Sequence, residues 1–263
     1  MRLYKVEGIV LRRRNLGEAD RLVTILSRDR GKMTLVARGA RRPRSRLGGR
    51  LEPPTRFHAL VVEGRSLDVI SQVEVLDAHA RLRDGLERIG ATAVVLELAD
   101  RALADRHPHP EVYGLLVDAL GLLRVGADRL AGLWFTARLL VLTGHRPAVG
   151  RCSVCGRRLR GAAVWSAALG GSLDGACRSR DPRAVAVTPR ATALLAFLLD
   201  ATPAAVRRPY PSKAEWDAVE ECLRSYAEVC WETRFRAPAV VGRLREAARV
   251  AEGAAAAVRG RRT

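Results

Sequence analysis

The chain is short of the side chains that stack on rings or carry out reactions. Aromatic residues make up 5% of its 263 positions, and Phe57 is the only one between Tyr4 and Tyr113. A ligand with planar rings would therefore find little to stack on in that stretch. Five histidines (His58, His79, His107, His109, His145) are scattered along the chain, and none falls between Gly150 and Pro182. There is no Gly-x-x-x-x-Gly-Lys-Ser/Thr, Gly-x-Gly-x-x-Gly, Gly-x-Ser-x-Gly or His-Glu-x-x-His pattern, so the common nucleotide-binding, hydrolase and metalloprotease sites are excluded. Long apolar runs are missing too. The longest, around Leu130 to Thr143, is interrupted by Arg138 and is too short to cross a bilayer. The first residues pass from Val6–Leu11 directly into Arg12, Arg13 and Arg14 without a signal-peptide h-region or cleavage site. A cytoplasmic protein with no membrane partner is expected. Its five cysteines, an odd number, suit free thiols or a metal site better than a disulfide framework.

Acidic residues are the other scarcity, and their distribution is uneven. Residues 1–50 hold fifteen basic and four acidic side chains, whereas residues 81–130 hold seven and eight. Arginine outnumbers lysine 43 to 3, a bias that a GC-rich genome produces whatever the function, so the ratio carries little. Position carries more. Lys32, Arg38, Arg41, Arg42, Arg44, Arg46 and Arg50 follow one another with no Asp or Glu among them, in a stretch rich in Gly39, Pro43, Ser45, Gly48 and Gly49. Crowded guanidinium groups repel one another, and phosphate oxygens relieve that repulsion while matching the planar donor fork of arginine. A merely solvated loop is the plain alternative.

Periodicity divides the chain. Val6–Leu11, Leu22–Leu26, Met33–Ala37, Phe57–Val62 and Leu67–Val75 alternate or run short and β-branched, which predicts a five-stranded antiparallel barrel with the basic run between strands three and four. Beyond Ala80 the period becomes helical. Leu82, Leu86, Ile89, Ala93, Leu96 and Leu103 form one predicted stripe. Further helices are expected over 111–125, 128–143, 188–199 and from Ser212 to about Phe235, the last opened by a Ser212/Glu215 capping box. The reading is α+β: an N-terminal barrel (1–80), a helical domain in two parts (81–149 and 185–240), an inserted module (150–184) and a basic tail (241–263).

The inserted module begins Cys152-Ser-Val-Cys155-Gly156, the spacing of a zinc knuckle. Cys177 stands where a second pair would start, but Arg180 occupies the position of its partner, and a guanidinium has no lone pair to give. Three readings follow: a structural zinc on Cys152, Cys155 and Cys177, with Asp174 or Asp181 as a possible surrogate ligand; a ribbon that holds its shape without metal; or a catalytic zinc. The last lacks the His-x-Glu that a deaminase needs. Cys222 and Cys230 read as small apolar residues of a helix.

Taken in order, these features resemble the RecO family of bacterial recombination mediators. The likeness is carried by Glu7-Gly8-Ile9-Val10-Leu11, Gly17-Glu18-Ala19-Asp20-Arg21, Gly31-Lys32, Ala37-Arg38-Gly39-Ala40-Arg41-Arg42, Ser45-Arg46-Leu47-Gly48-Gly49-Arg50-Leu51-Glu52-Pro53, Leu96-Glu97-Leu98, Arg138-Leu139-Leu140 with Gly144, and the Cys152–Gly156 knuckle. The resemblance implies an OB-type barrel and a zinc-ribbon-like module within a helical domain. It implies a protein without covalent chemistry, associated with the nucleoid, that binds single- and double-stranded DNA and anneals complementary strands. It further implies engagement of the acidic C-terminal tail of the single-stranded-DNA-binding protein SSB, and work with RecR, in some members also RecF, to load the recombinase RecA. Such a tail needs an apolar groove rimmed by a cation, for which Leu133, Phe135, Leu139 and Leu142 with Arg138 are the candidates; core packing is the competing reading of the same stripe. Arg180, and Phe235-Arg236-Ala237 near the end, depart from the family pattern.

The residues by themselves suggest how DNA would be held. Arg12, Arg13, Arg14, Lys32, Arg38, Arg41, Arg42, Arg44, Arg46 and Arg50 would track a phosphate backbone with little regard to sequence. If about five phosphates are neutralised, log K falls against log salt with a slope near −3.5 for single strands and near −4.5 for duplex. A basic RNA-binding or ribosome-associated module is the rival from another class, and a zinc hydrolase is a third.

Overall fold

Strand alternation closes into a barrel. The computed structural model describes residues 2–159, 161, 163–206 and 211–237; the expected basic tail, 241–263, lies outside them. Strands β1 (Leu3–Leu16), β2 (Asp20–Ser27), β3 (Gly31–Ala37), β4 (Arg56–Val62) and β5 (Asp68–Asp77) associate in the order β1-β2-β3-β5-β4, with β4 returning to β1. One seam corrects the antiparallel expectation: β3 and β5 run parallel, through Leu35 opposite Asp68 and Val36 opposite Val69. The chain crosses the barrel end between β3 and β4 to pair β4 with β1, and β5 then fills the gap from the other side. This is the OB-type barrel that the resemblance implied.

Inward residues Val10, Val23, Ile25, Met33, Leu35, Phe57, Val61 and Ile70 fill its interior. The outer face of β1 and β2 is buried as well, because Ile9, Leu11 and Leu26 belong to the core of the helical part. The helices cover that part of the face, while Lys5 and Arg13 on the same strand as Ile9 and Leu11 stay exposed.

The helical part consists of α1 (Leu86–Ala102), α2 (Pro110–Arg124), α3 (Asp128–Leu142), α4 (Pro189–Asp200) and α5 (Lys213–Cys230). Between α3 and α4, β7 (Gly171–Leu173), β6 (Ala163–Ser166) and β8 (Val185–Val187) make a small antiparallel sheet in that order. Thr188 caps α4 ahead of Pro189, and Ser212 with Glu215 forms the expected capping box on α5.

Two boundaries differ from the sequence reading. Residues 80–83 form a separate 3-10 turn, and Gly85 at φ 84° starts α1 afresh. The break resets the helical phase. Ala91, Thr92, Val95, Leu98 and Ala99 face inward; of the expected stripe Leu82, Leu96 and Leu103 are buried with them, while Leu86, Ile89 and Ala93 are exposed. Helix α5 stops at Cys230, and Glu232 at φ 47° turns the chain so that Phe235 returns to the core, edge-on to Trp231.

Ion pairs and hydrogen bonds fasten the barrel to the helices. Tyr113 Oη of α2 donates to Glu7 Oε1 at 2.9 Å, where Arg56 Nη2 also donates at 2.6 Å. Arg106 Nη2 and Tyr4 Oη share Asp68 Oδ2 at 3.0 and 2.6 Å. Gly31 is required at this junction, since a Cβ there would lie 2.1 Å from the His107 carbonyl oxygen.

Candidate nucleic-acid interface

The connection between β3 and β4 is built as a platform. Ala40 and Leu51 reach down into the barrel core, with Leu47 packed beside them. At its base the Gly39 amide donates to Asp20 Oδ1 at 2.7 Å and the Arg41 amide to the Ala19 carbonyl at 2.9 Å. Two turns follow, with the Arg42 amide donating to the Gly39 carbonyl at 3.1 Å and the Ser45 amide to the Arg42 carbonyl at 2.9 Å. Arg21 of β2 clamps the far side, donating to the Gly48 carbonyl at 3.1 Å and to Glu52 Oε1 at 3.2 Å. Gly48 is the close approach of the loop: a Cβ would stand 2.6 Å from the Ala40 carbonyl oxygen. Buried anchors and satisfied amides hold the loop, so its long side chains are left to project.

The projecting side chains are the arginines. Arg38, Arg41, Arg42, Arg44, Arg46 and Arg50 are all exposed. Among the described residues none of the six forms an ion pair with a carboxylate; Arg41 donates to the Gly17 carbonyl at 2.6 Å and Arg50 to the Val73 carbonyl at 3.2 Å. A carbonyl satisfies an N–H without cancelling the charge, so six formal positive charges remain on one loop. Arg14, exposed near the end of β1, likewise has no carboxylate partner among the described residues.

Three of the residues grouped with them from sequence are placed differently. Lys32 is half-buried between barrel and helices; its Nζ donates to the Asp100 carbonyl at 2.5 Å and sits 3.3 Å from Asp105 Oδ1. Arg12 Nε lies 2.6 Å from Asp100 Oδ2. Arg13 pairs with Glu52 Oε2 at 2.8 Å, beside Arg21. Sequence distance hid these partners, because Asp100 lies on α1. Lys32 and Arg12 therefore join the barrel to the helical part and stand apart from the open loop, and Arg13 helps Arg21 fix the loop through Glu52.

The cysteine module gathers its three candidate ligands. The sulfurs of Cys152, Cys155 and Cys177 all lie within 4.8 Å of one another. Burial pushes the Cys152 thiol up, but hydrogen bonds from the backbone at Asp174, Cys155 and Val154 outweigh it and bring the pKa down to about 7. Cys177 is pushed up to about 11 by burial and by its two neighbouring cysteines. Three sulfurs at this separation with amides aimed at one of them fit a structural zinc. The considered surrogates are committed elsewhere: Asp174 accepts from the Ala176 amide at 2.9 Å, and Asp181 accepts from Ser166 Oγ at 2.5 Å and the Arg183 amide at 2.9 Å. Arg180 is exposed. A zinc here would cross-link two turns of chain. Cys222 is buried in α5, where burial raises its thiol.

The expected groove on α3 is corrected. Phe135 and Leu139 have no exposed surface and Leu133 is buried with them. Arg138 turns inward to donate to the Leu199 carbonyl at 2.6 Å, and Leu142 is half-buried against the same core. Helix α3 sits among α1, α2, α4 and α5, so its stripe is packed on several sides. Leu133 instead lines the floor of a small apolar cleft with Val94, Leu98, Leu223, Ala227 and Phe235, beside Arg129 and Arg224. The sequence signal for this cleft was divided among three helices, which is why a single-helix stripe missed it.

Comparison with known proteins accords with this architecture. The family model described as "Recombination protein O N terminal" matches residues 1–79, and "Recombination protein O C terminal" matches residues 83–236. A protein named "DNA repair protein RecO" from Desulforudis audaxviator is 41% identical over 184 residues, covering 70% of this chain and 74% of that protein. One of the same name from Bifidobacterium longum is 42% identical over 190 residues, covering 71% and 79%. A third, from Desulforamulus reducens, is 32% identical over 245 residues, covering 93% and 96%.

Proposed function

The chain belongs to the RecO family of DNA repair proteins, and from that membership we propose a non-enzymatic mediator that binds DNA through the β3–β4 loop and anneals complementary strands. The observation that carries this reading is the set of six loop arginines with no carboxylate partner among the described residues, held on an anchored platform. Phosphates would displace counterions from this surface, giving affinity that depends on salt far more than on sequence. Of the barrel's two aromatic rings, Phe57 is fully buried, and Tyr4 is covered by the Arg30 guanidinium 4.1 Å from its centroid with its hydroxyl bonded to Asp68, which supports contact with the backbone over contact with bases. Annealing follows from the same physics: two strands on one cationic surface lose much of their mutual repulsion while their base edges stay free to pair.

In the cell this activity would act on SSB-coated DNA with RecR, and where present RecF, to load RecA. We assign the acidic, apolar end of the SSB tail to the cleft containing Val94, Leu133 and Phe235; the rim arginines are paired in the free protein, Arg129 with Asp217 and Glu220 and Arg224 with Glu221 and Glu228, so a tail carboxylate would have to exchange into those ion pairs. No helix among the described residues is long and apolar enough to cross a membrane. The test is a strand-annealing assay with a competition arm. Single-stranded DNA should bind at least as well as an RNA hairpin of equal length, and complementary oligonucleotides should anneal with no strand cleaved. Strong preference for the hairpin, or cleavage, would replace this reading.

A further inference from the structure

We propose that the cysteine module is a second phosphodiester-binding surface, built from Arg151, Arg158, Arg178 and Arg180, which receives the second strand while the barrel loop holds the first; this rests on the annealing function proposed above. The thiol cluster supplies the geometry. Because the sulfurs of Cys152, Cys155 and Cys177 converge within 4.8 Å, the segments that carry them are brought side by side. Every arginine named lies within three residues of one of those cysteines, and all four are exposed.

Charge is poorly compensated there. Residues 150–184 contain seven arginines and two acidic residues. Asp174 is occupied with the Ala176 amide and, at 3.4 Å, Arg157. Asp181 is occupied with Ser166 and the Arg183 backbone. Arg158, Arg178 and Arg180 have no carboxylate partner among the described residues, and Arg151 donates only to the Gly156 carbonyl at 3.5 Å. Arg151 and Arg158 moreover stand directly opposite each other across an antiparallel bridge. Like charges so placed destabilise the pairing, and the buried cluster beneath them is small: Cys152, Val164, Leu173 and Ala184. A bound polyanion would relieve that repulsion.

The surroundings select the polyanion. An acidic peptide with apolar residues needs an apolar groove, but the large apolar side chain exposed within the knuckle is Val154 alone, and Trp165 is buried. Guanidinium groups without an apolar floor or a stacking ring suit a phosphate backbone. Arg180 then gains a reason: at the position where a fourth ligand would sit, the chain carries another phosphate donor.

The experiment counts strands on the full-length protein. Labelled oligonucleotides of about 12 nucleotides, within the range one OB-type surface covers, are titrated to saturation at low salt. The wild type should bind two per chain, and the R158A/R178A/R180A variant one, with annealing slowed about tenfold or more as three phosphate contacts are lost. An R178Q/R180Q variant, altered only on the exposed 3-10 turn Gly175–Arg180 that follows Asp174, should fall between them. Two oligonucleotides per chain in both variants would overturn the proposal and leave the loop reading intact. Undiminished first-strand binding by a barrel-loop variant would overturn the loop reading whatever the ribbon does. If the ribbon variants keep both oligonucleotides but lose an acidic peptide, the surface serves a protein partner and the proposal fails.

Discussion

Replacing Arg41, Arg42 and Arg44 with alanine removes half of the six uncompensated loop arginines without touching an anchor: the three side chains are exposed, and only the Arg41 guanidinium makes a hydrogen bond, to the Gly17 carbonyl. If the wild type neutralises about five phosphates of a single strand, log K falls against log salt with a slope near −3.5, and losing three contacts leaves a slope near −1.4. Between 50 and 200 mM salt the wild type should therefore weaken roughly 130-fold and the variant roughly 7-fold. If the two lines converge near 1 M salt, the variant binds about 100-fold more weakly at 0.1 M. Fluorescence anisotropy with one labelled oligonucleotide across a salt series reads both quantities. Alanine lacks a charge but leaves the backbone turns in place, so unchanged thermal stability is also expected. An unchanged slope at unchanged stability would refute the reasoning, since the loop arginines would then not be the groups that displace counterions.

Other expectations concern what holds the platform. Asp100→Ala removes the carboxylate that faces both Lys32 and Arg12 at the domain junction; losing one member of a largely buried ion cluster should cost about 3 kcal/mol and lower the melting temperature by roughly 6–12 °C, and an unchanged melting temperature would show the cluster contributes nothing. Gly48→Ala places a methyl 2.6 Å from the Ala40 carbonyl oxygen, so the loop must shift, with a stability loss of about 1–3 kcal/mol and weaker DNA binding than the more distant Gly49→Ala. Stability should decline on acidification in two stages. Burial holds His79 below its ordinary value of 6.5, so its neutral form stabilises the fold fully above that pH and the benefit is lost as pH falls through the lowered value. Burial alone would raise Glu7, but hydrogen bonds from Arg56 and Tyr113 bring it below 4.5, so its contribution is present above that pH and lost as pH falls through the lowered value. Glu7→Gln should flatten the second stage in chemical denaturation measured from pH 7 to pH 3, and an identical profile would remove Glu7 from the account.

Much of the fold could be read in the chain because it rests on local patterns. Alternation marked the five barrel strands, and Thr188-Pro189 and Ser212/Glu215 marked helix starts that the side-chain caps then made. The parallel β3–β5 seam could not be read, since pairing across a crossover is invisible to a period-two signal. The Leu86–Ile89–Ala93 part of the predicted stripe had the right spacing, but α1 packs through Ala91, Val95, Leu98 and Ala99 and leaves those three outside, with only Leu96 of the same stripe buried within the helix. For the candidate site, the exposed arginines of the loop were evident from the lack of neighbouring acids. The pairing of Lys32 and Arg12 with Asp100 was not, because it depends on how α1 packs on the barrel. The α3 stripe failed for the same reason: periodicity says that a face is apolar, and packing decides whether anything else can reach it. The cysteine spacing correctly brought three sulfurs together and left open what Arg180 does.

The most direct test of the central claim is amide hydrogen exchange of the whole protein with and without a saturating single-stranded oligonucleotide. The account predicts slowed exchange over residues 38–52, in the loop that carries the free arginines. Protection confined to the exposed face of β4 and β5, with the loop exchanging as it does in the free protein, would contradict it.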